Sequence, residues 1–138
     1  MNNNKRIITT DAAPAPIGPY SQAVQAGGML FISGQIALDP VDGSLYKGDI
    51  ATETEKVMQN LEGILKAAGL SFAHVVKTSI FLMDMGQFAQ VNEVYDRYFD
   101  AAHAPARETV QVSGLPRGVN VEISAIAIIY NVIESEGM

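Results

Sequence analysis

Arg107 and Glu122 are the two side chains on which a reaction could be built. Arg107 lies in the segment Pro105-Ala106-Arg107-Glu108-Thr109-Val110-Gln111-Val112. Its planar, permanently charged guanidinium matches a carboxylate through two parallel hydrogen bonds, so a small organic acid is the ligand that fits it. Glu122 opens the run Val121-Glu122-Ile123-Ser124-Ala125-Ile126-Ala127-Ile128-Ile129. A carboxylate among Ile, Val and Ala is costly unless something satisfies it. Such a group can hold a water and draw a proton from it as the water attacks. The pair points to a site that binds an acid and moves protons beside it.

Each residue also has a plainer reading, and the sequence leaves both open. Arg107 reads as an anchor or as a surface Arg beside a loop. Glu122 reads as a catalytic carboxylate or as a strand-end group that reaches solvent. Asn92 falls within the apolar stripe Phe88, Val91, Tyr95, where a buried amide must be paired; pinning nearby backbone is favoured over ligand contact. Tyr20 ends a proline-rich arm. Ser33-Gly34 interrupts an apolar strand, and Gly there marks a bulge or a close approach by backbone or ligand. His74 and His103 are isolated and lack metal-pair spacing, so both read as structural or surface residues. Gly18-Pro19-Tyr20 and Gly27-Gly28 do not open helices, which argues against a phosphate loop.

The elements that must position these residues alternate in period. Pro14, Pro16, Pro19 and Gly18 preclude helix over the first twenty residues and imply an extended, ordered arm after the apolar pair Ile7-Ile8. Strand signals run from Gln22 to Ala26 and from Met29 to Ile36, across a Gly27-Gly28 turn, with a further turn over Asp39-Pro40-Val41-Asp42-Gly43. Val57, Met58, Leu61, Ile64, Leu65 and Ala68 keep helical spacing between about Asp49 and Ala68; Gly69 supplies the stop and Thr52-Glu53-Thr54-Glu55 a capping box. Val75–Leu82 is β-branched and aromatic, hence a strand. A second helix is predicted from Met85 to Phe99, then strands over Glu108–Val112 and Val121–Ile133. In the first of these, Val110 and Val112 take one face while Arg107, Thr109 and Gln111 take the other; Glu122 shares a face with Ser124, Ile126 and Ile128. This order predicts a single α+β domain over residues 1–138, with both helices on one face of a mixed sheet. Residues 121–129 are apolar on both pleat faces, so the second face is expected to pack against another subunit.

Composition narrows the classes of function. With 138 residues and 48% hydrophobic content, the chain suits one domain with its own core. No run approaches the roughly 18 apolar residues of a membrane span, and Met1-Asn2-Asn3-Asn4-Lys5-Arg6 lacks a signal-peptide core, so a soluble, cytoplasmic protein is expected. Cysteine is absent, which excludes disulfides, thiolate metal sites and a catalytic thiol. The 15 acidic and 9 basic residues give a net charge of -6 with no basic cluster, which disfavours nucleic acid as a partner.

Taken together, the segments resemble the reactive intermediate (imine/enamine) deaminase family, the Rid or YjgF-like family, and its RidA branch. The resemblance rests on Ala13-Pro14 through Ile17-Gly18-Pro19-Tyr20-Ser21-Gln22, Ser33-Gly34-Gln35-Ile36, Leu65-Lys66-Ala67-Ala68-Gly69, Val76-Lys77 through Asp84, Phe88-Ala89-Gln90-Val91-Asn92, Pro105-Ala106-Arg107, Leu115-Pro116 and Glu122-Ile123. It covers nearly the whole chain in order. It implies a chorismate-mutase-like fold assembled as a homotrimer, sheets packed into a central barrel, with ligand clefts between subunits. It also implies cofactor-free and metal-free hydrolysis of 2-imino acids, 2-iminopropanoate and 2-iminobutanoate among them, to 2-keto acids and ammonia. On this resemblance Arg107 binds the carboxylate and Glu122 positions or activates water. Tyr20, Ser33 and Asn92 line the pocket, and Gly34 and Thr109 give backbone contacts. Many family members carry Cys where this chain has Thr109; a backbone role tolerates the change. Other readings are a keto acid or carboxylate sensor without turnover, which needs Arg107 but not Glu122, and a ribonuclease or translation inhibitor, which the net charge disfavours.

Overall fold

The computed structural model describes residues 5–129. Strands β1 (Arg6–Ile8), β2 (Ala23–Ala26), β3 (Met29–Gln35), β4 (Val75–Leu82), β5 (Ala106–Gln111) and β6 (Val121–Ile128) form one sheet in the order β1-β2-β3-β6-β4-β5. Only the β4–β5 pair is parallel; the other neighbours run antiparallel. Helices α1 (Ile50–Ala67) and α2 (Phe88–Asp96) both cover one sheet face, the α+β layering that the sequence predicts. No described helix is long and apolar enough to cross a membrane.

Most boundaries fall within two residues of the predicted ones, and the differences have local causes. The second helix is shorter than predicted because Met85–Gln87 forms a separate 3-10 turn capped by Asp84, and because the chain leaves helical geometry after Arg97. Arg107 lies inside β5, paired with Thr78, rather than ahead of the strand. β6 ends at Ile128; the predicted extension to Ile133 runs beyond the described residues. Ile7 and Ile8 belong to an edge strand that the prolines after it had masked. Gly27 and Gly28, both at positive φ, turn the β2–β3 hairpin in two residues.

The start of α1 corrects a sequence expectation. Asp49, not Thr52, is the N-cap, and its carboxylate accepts from the Thr52 N–H at 2.9 Å. Glu53 is thereby released for a tertiary task. Its carboxylate, buried beneath the sheet end, accepts from the Asn120 backbone N–H and side-chain amide at 2.8 Å each, and from the Val121 N–H at 3.3 Å. These bonds fix where β6 begins and therefore where Glu122 stands. Glu53→Ala is expected to lower unfolding free energy by about 2–4 kcal/mol, because it strands the donors of Asn120 and Val121. The urea midpoint at unchanged m-value checks it. At its other end α1 closes in a Schellman turn: Gly69, at φ +78°, donates to Lys66 and Leu70 donates to Leu65.

Val57, Met58, Leu61, Ile64 and Leu65 of α1 pack on Leu30 and Ile32 of β3, Ile80 and Leu82 of β4, and Val121, Ile123, Ala125 and Ala127 of β6. Along β6, burial alternates strictly, with Glu122, Ser124, Ile126 and Ile128 on the face away from the helices. Among the described residues that second face carries no helix, and Ile7, Phe31 and Val110 stand 42–47% exposed on it.

Candidate functional site

Gln22 builds the first half of the site. Immediately before β2 it is 3% exposed, and its side-chain nitrogen donates to the carbonyls of Thr10, Ala13 and Pro14 while its oxygen accepts from the Thr10 N–H at 2.7 Å. The proline arm has no ladder partner, so these bonds satisfy its backbone. They hold the arm against α1, where Gly63 lets the Ala12 carbonyl approach closer than any side chain would allow. Between the arm and β3 lies a cavity of about 360 Å³, lined by Ile17, Tyr20, Ser33, Gly34, Leu38 and Glu122 among others.

Ser33 and Gly34 interrupt the β3–β6 register, since Ile32 pairs with Ala125 and Gln35 with Ile123, leaving two residues opposite one. The bulge carries both features expected of Gly in a strand. The Glu122 carboxylate lies directly over Gly34, in the space that any Cβ there would claim. Glu122 is half-buried and makes no hydrogen bond or ion pair with another described residue. Desolvation by that burial pushes its carboxyl above the ordinary carboxylate range. The Ser33 hydroxyl donates to the Ser21 carbonyl at 2.6 Å, and the Ile17 N–H donates to the Tyr20 hydroxyl at 3.4 Å.

Arg107 occupies a different place. On β5 it projects toward α2, where one guanidinium nitrogen donates to the Asn92 Oδ1 at 2.6 Å. The guanidinium carbon stands 5.0 Å from the Tyr95 ring centre and 5.5 Å from that of Phe88. Tyr95 is itself fixed by a 2.7 Å bond between its hydroxyl and that of Thr78. Arg107 makes no ion pair with a described carboxylate, and it is solvent-exposed, so its remaining donors face outward. Asn92 therefore pins a side chain and not backbone.

Register separates the two halves. Arg107 pairs with Thr78 on the helix-covered face, whereas Glu122 pairs with Phe81 on the uncovered one. One chain thus brings Tyr20, Ser33, Gly34 and Glu122 to one cavity, and Arg107, Asn92 and Thr109 to the other side of the sheet. The sequence placed six of these seven on the elements that carry them; Arg107, expected just ahead of its strand, lies within β5. It did not identify Gln22, Phe88 or Tyr95 as the residues that hold these groups, although a Gln in a strand beside a proline arm was the available signal.

The comparisons with known proteins bear on these groups. Residues 10–129 match the family described as endoribonuclease L-PSP. The protein DfrA of Myxococcus xanthus is 58% identical over 126 residues, covering 90% of this chain and 95% of that one. A mouse protein named 2-iminobutanoate/2-iminopropanoate deaminase is 51% identical over 124 residues, 90% of this chain and 91% of its own. A crystal structure from Yersinia pestis, described as of the conserved Rid protein family, superposes with a TM-score of 0.87 at 44% identity, covering 90% of this chain and 98% of that one. The chain belongs to the endoribonuclease L-PSP family, the Rid or YjgF-like family.

In this Rid protein the residue two positions beyond the Arg is Thr109, and its hydroxyl is buried with no hydrogen-bond partner among the described residues. A thiol tolerates apolar surroundings; a hydroxyl left unpaired costs about 1–3 kcal/mol. Thr109→Val keeps the shape and removes the orphan. It is expected to raise the melting temperature by a few degrees, about 2–4 °C per kcal/mol recovered. Calorimetry checks it.

Proposed function

We propose that the protein hydrolyses 2-imino acids, including 2-iminopropanoate and 2-iminobutanoate, to 2-keto acids and ammonia. The observation that carries this reading is the Glu122 carboxylate, unpaired among the described residues, partly desolvated and laid over the Gly34 bulge at a cavity wall. Such a group is a proton acceptor in need of a partner, and water supplies one. Arg107, tethered by Asn92 and without an acidic partner, supports capture of the substrate carboxylate. Relatives about half identical to this chain and named 2-iminobutanoate/2-iminopropanoate deaminase support the same reaction.

The steps follow from these groups. Arg107 holds the carboxylate of the protonated imine in two hydrogen bonds. Glu122 takes a proton from a water as the water oxygen bonds to the imine carbon, giving a carbinolamine. It then hands that proton to the nitrogen. The carbon–nitrogen bond breaks with its electron pair on ammonia, and as the carbonyl forms the hydroxyl passes its proton to the Glu122 carboxylate, from which ammonia carries it away as ammonium. Positioning is most of what such a reaction requires, since imines already react with water. Tyr20, Ser33 and Gly34 shape the cavity, and the backbone at Thr109 lies beside Arg107. No cofactor or metal takes part in this scheme.

The active form in this reading is a cytoplasmic homotrimer with the uncovered sheet faces turned inward. The opposite placement of Arg107 and Glu122 supports it, because a cleft between two copies can join the Arg of one to the Glu of the next. The apolar residues exposed on the bare face support it as well.

The test generates imines in situ with an amino acid oxidase or threonine dehydratase and traps them with semicarbazide. Wild-type protein should reduce semicarbazone formation in proportion to its concentration. An unchanged trapping rate would overturn the deaminase reading.

A further inference from the structure

Two lysines and a carboxylate meet in a second cleft, which the proposed reaction does not use. It has a volume of about 250 Å³ and is lined by Ala37, Asp39, Ser44, Tyr46, Lys47 and Lys56 among others. A hairpin pinned to α1 builds it. Leu38 and Leu45 form an antiparallel bridge, and the Tyr46 N–H donates to the Ala37 carbonyl at 2.9 Å. Asn60 of α1, buried, donates to the carbonyls of Ile36 and Leu38. The Tyr46 hydroxyl donates to Asp49 Oδ1 at 2.9 Å, in space that only a glycine at position 48 leaves open. Lys56 stands over this fixed ring, its ammonium 5.6 Å from the ring centre. Asp39 caps the turn, its Oδ1 accepting from the N–H groups of Val41 and Asp42. Side chains alternate along this segment, so Ile36 and Leu38 line the cavity beside Glu122 while Ala37 and Asp39 line this cleft.

Charge selects the ligand. Neither lysine makes an ion pair with a described carboxylate, and Asp39 makes none with a described cation. A simple anion would meet the Asp39 charge, and a simple cation would meet two ammonium groups. An occupant carrying both signs meets neither conflict. At about 30 Å³ for a water-sized group, the cleft holds roughly eight, the size of a small amino acid. We propose that this cleft binds a free α-amino acid, with its carboxylate between Lys47 and Lys56 and its ammonium toward Asp39. Lys47 is exposed and Lys56 half-buried, so the expected Kd is weak, about 1 mM.

Heteronuclear NMR titrations of the whole protein with L-alanine, L-lactate, ethylamine and inorganic phosphate test this. Alanine should give saturable shifts of the Ala37, Tyr46, Lys47 and Lys56 amides. Lactate, with a hydroxyl in place of the ammonium, should bind about threefold or more weakly, as should phosphate, and ethylamine should have no effect. Lys56→Gln should weaken alanine by about threefold or more, and Lys47→Gln should do the same from an exposed position that carries neither the ring contact nor the turn. Asp39→Asn keeps the Oδ1 that caps the turn but removes the charge, so it should weaken alanine and strengthen lactate. Shifts confined to Ser33, Asn92, Arg107 and Glu122 would place the amino acid in the candidate site instead. Lactate or phosphate bound as tightly as alanine would make the cleft a general anion site. Either result would overturn the assignment, as would wild-type binding by both lysine variants or no saturable shift at all.

Discussion

A Glu122→Gln variant is expected to bind 2-keto acids as wild type does and to lose about 10²- to 10⁴-fold in kcat, the range a positioned proton acceptor contributes. The amide fills nearly the same volume over Gly34, so the bulge and cavity survive the change. What disappears is the ability to accept a proton from water. The pH dependence is diagnostic. Burial raises the Glu122 carboxyl above its ordinary value, so the carboxylate form needed to accept the proton is lost as pH falls through that raised value. Wild-type kcat should therefore decline on the acid side at a higher pH than an ordinary carboxylate would give, and the residual activity of the Gln variant should lack that limb. Stability has the opposite sign. A folded-state carboxyl with a raised pKa disfavours the native state as pH rises from the ordinary value through the raised one and above. At neutral pH the Gln variant should therefore unfold no earlier than wild type, and chemical denaturation at pH 4 and pH 7 checks this. A loss of activity accompanied by a lower melting temperature would assign Glu122 a structural role instead.

Arg107→Ala should show a different signature, a fall in kcat/KM of about 100-fold or more together with loss of keto acid binding. Two charge-assisted hydrogen bonds to a carboxylate are worth about 3 kcal/mol or more, and 1.4 kcal/mol is tenfold. Arg107→Lys should recover only part of this, because an ammonium presents a point charge where the guanidinium presents a fork. Little stability should be lost in either variant, since Arg107 is exposed and its contacts to Asn92, Phe88 and Tyr95 lie at the rim of α2. Comparing the two sites separates holding from chemistry: Glu122→Gln spares binding and Arg107→Ala does not. An Arg107→Ala protein that still binds 2-keto acids at wild-type strength would remove Arg107 from the site.

The local grammar of the chain was readable because it is enforced within a few residues. The 3.6-residue spacing of Val57, Leu61 and Ile64, the Gly27-Gly28 turn and the strict alternation after Val121 each specify an element without reference to the rest of the molecule. Glu53 shows the limit. By position it belongs to a capping box, yet the site that captures it is Asn120, 67 residues away, and nothing local announces that bond. Asn92 shows the same limit, since an amide in an apolar stripe must be paired but its partner is Arg107 on a strand that only the fold brings near. Gln22 is the clearest case, a single side chain that satisfies the backbone of an entire arm.

The residue types of Arg107 and Glu122 determined by themselves that an acid could be held and a proton moved, because charge and donor geometry are properties of side chains. The order of apolar periods likewise determined two helices against a mixed sheet. Only the tertiary structure decided that Gly34 opposes Glu122 and that Glu122 goes without a partner among the described residues. It alone placed Arg107 on the other face of the same sheet. Strand register fixes which residues share a face, and register follows from the Glu53 anchor, the bulge at Ser33-Gly34 and the parallel β4–β5 pairing, all contacts between segments far apart in sequence.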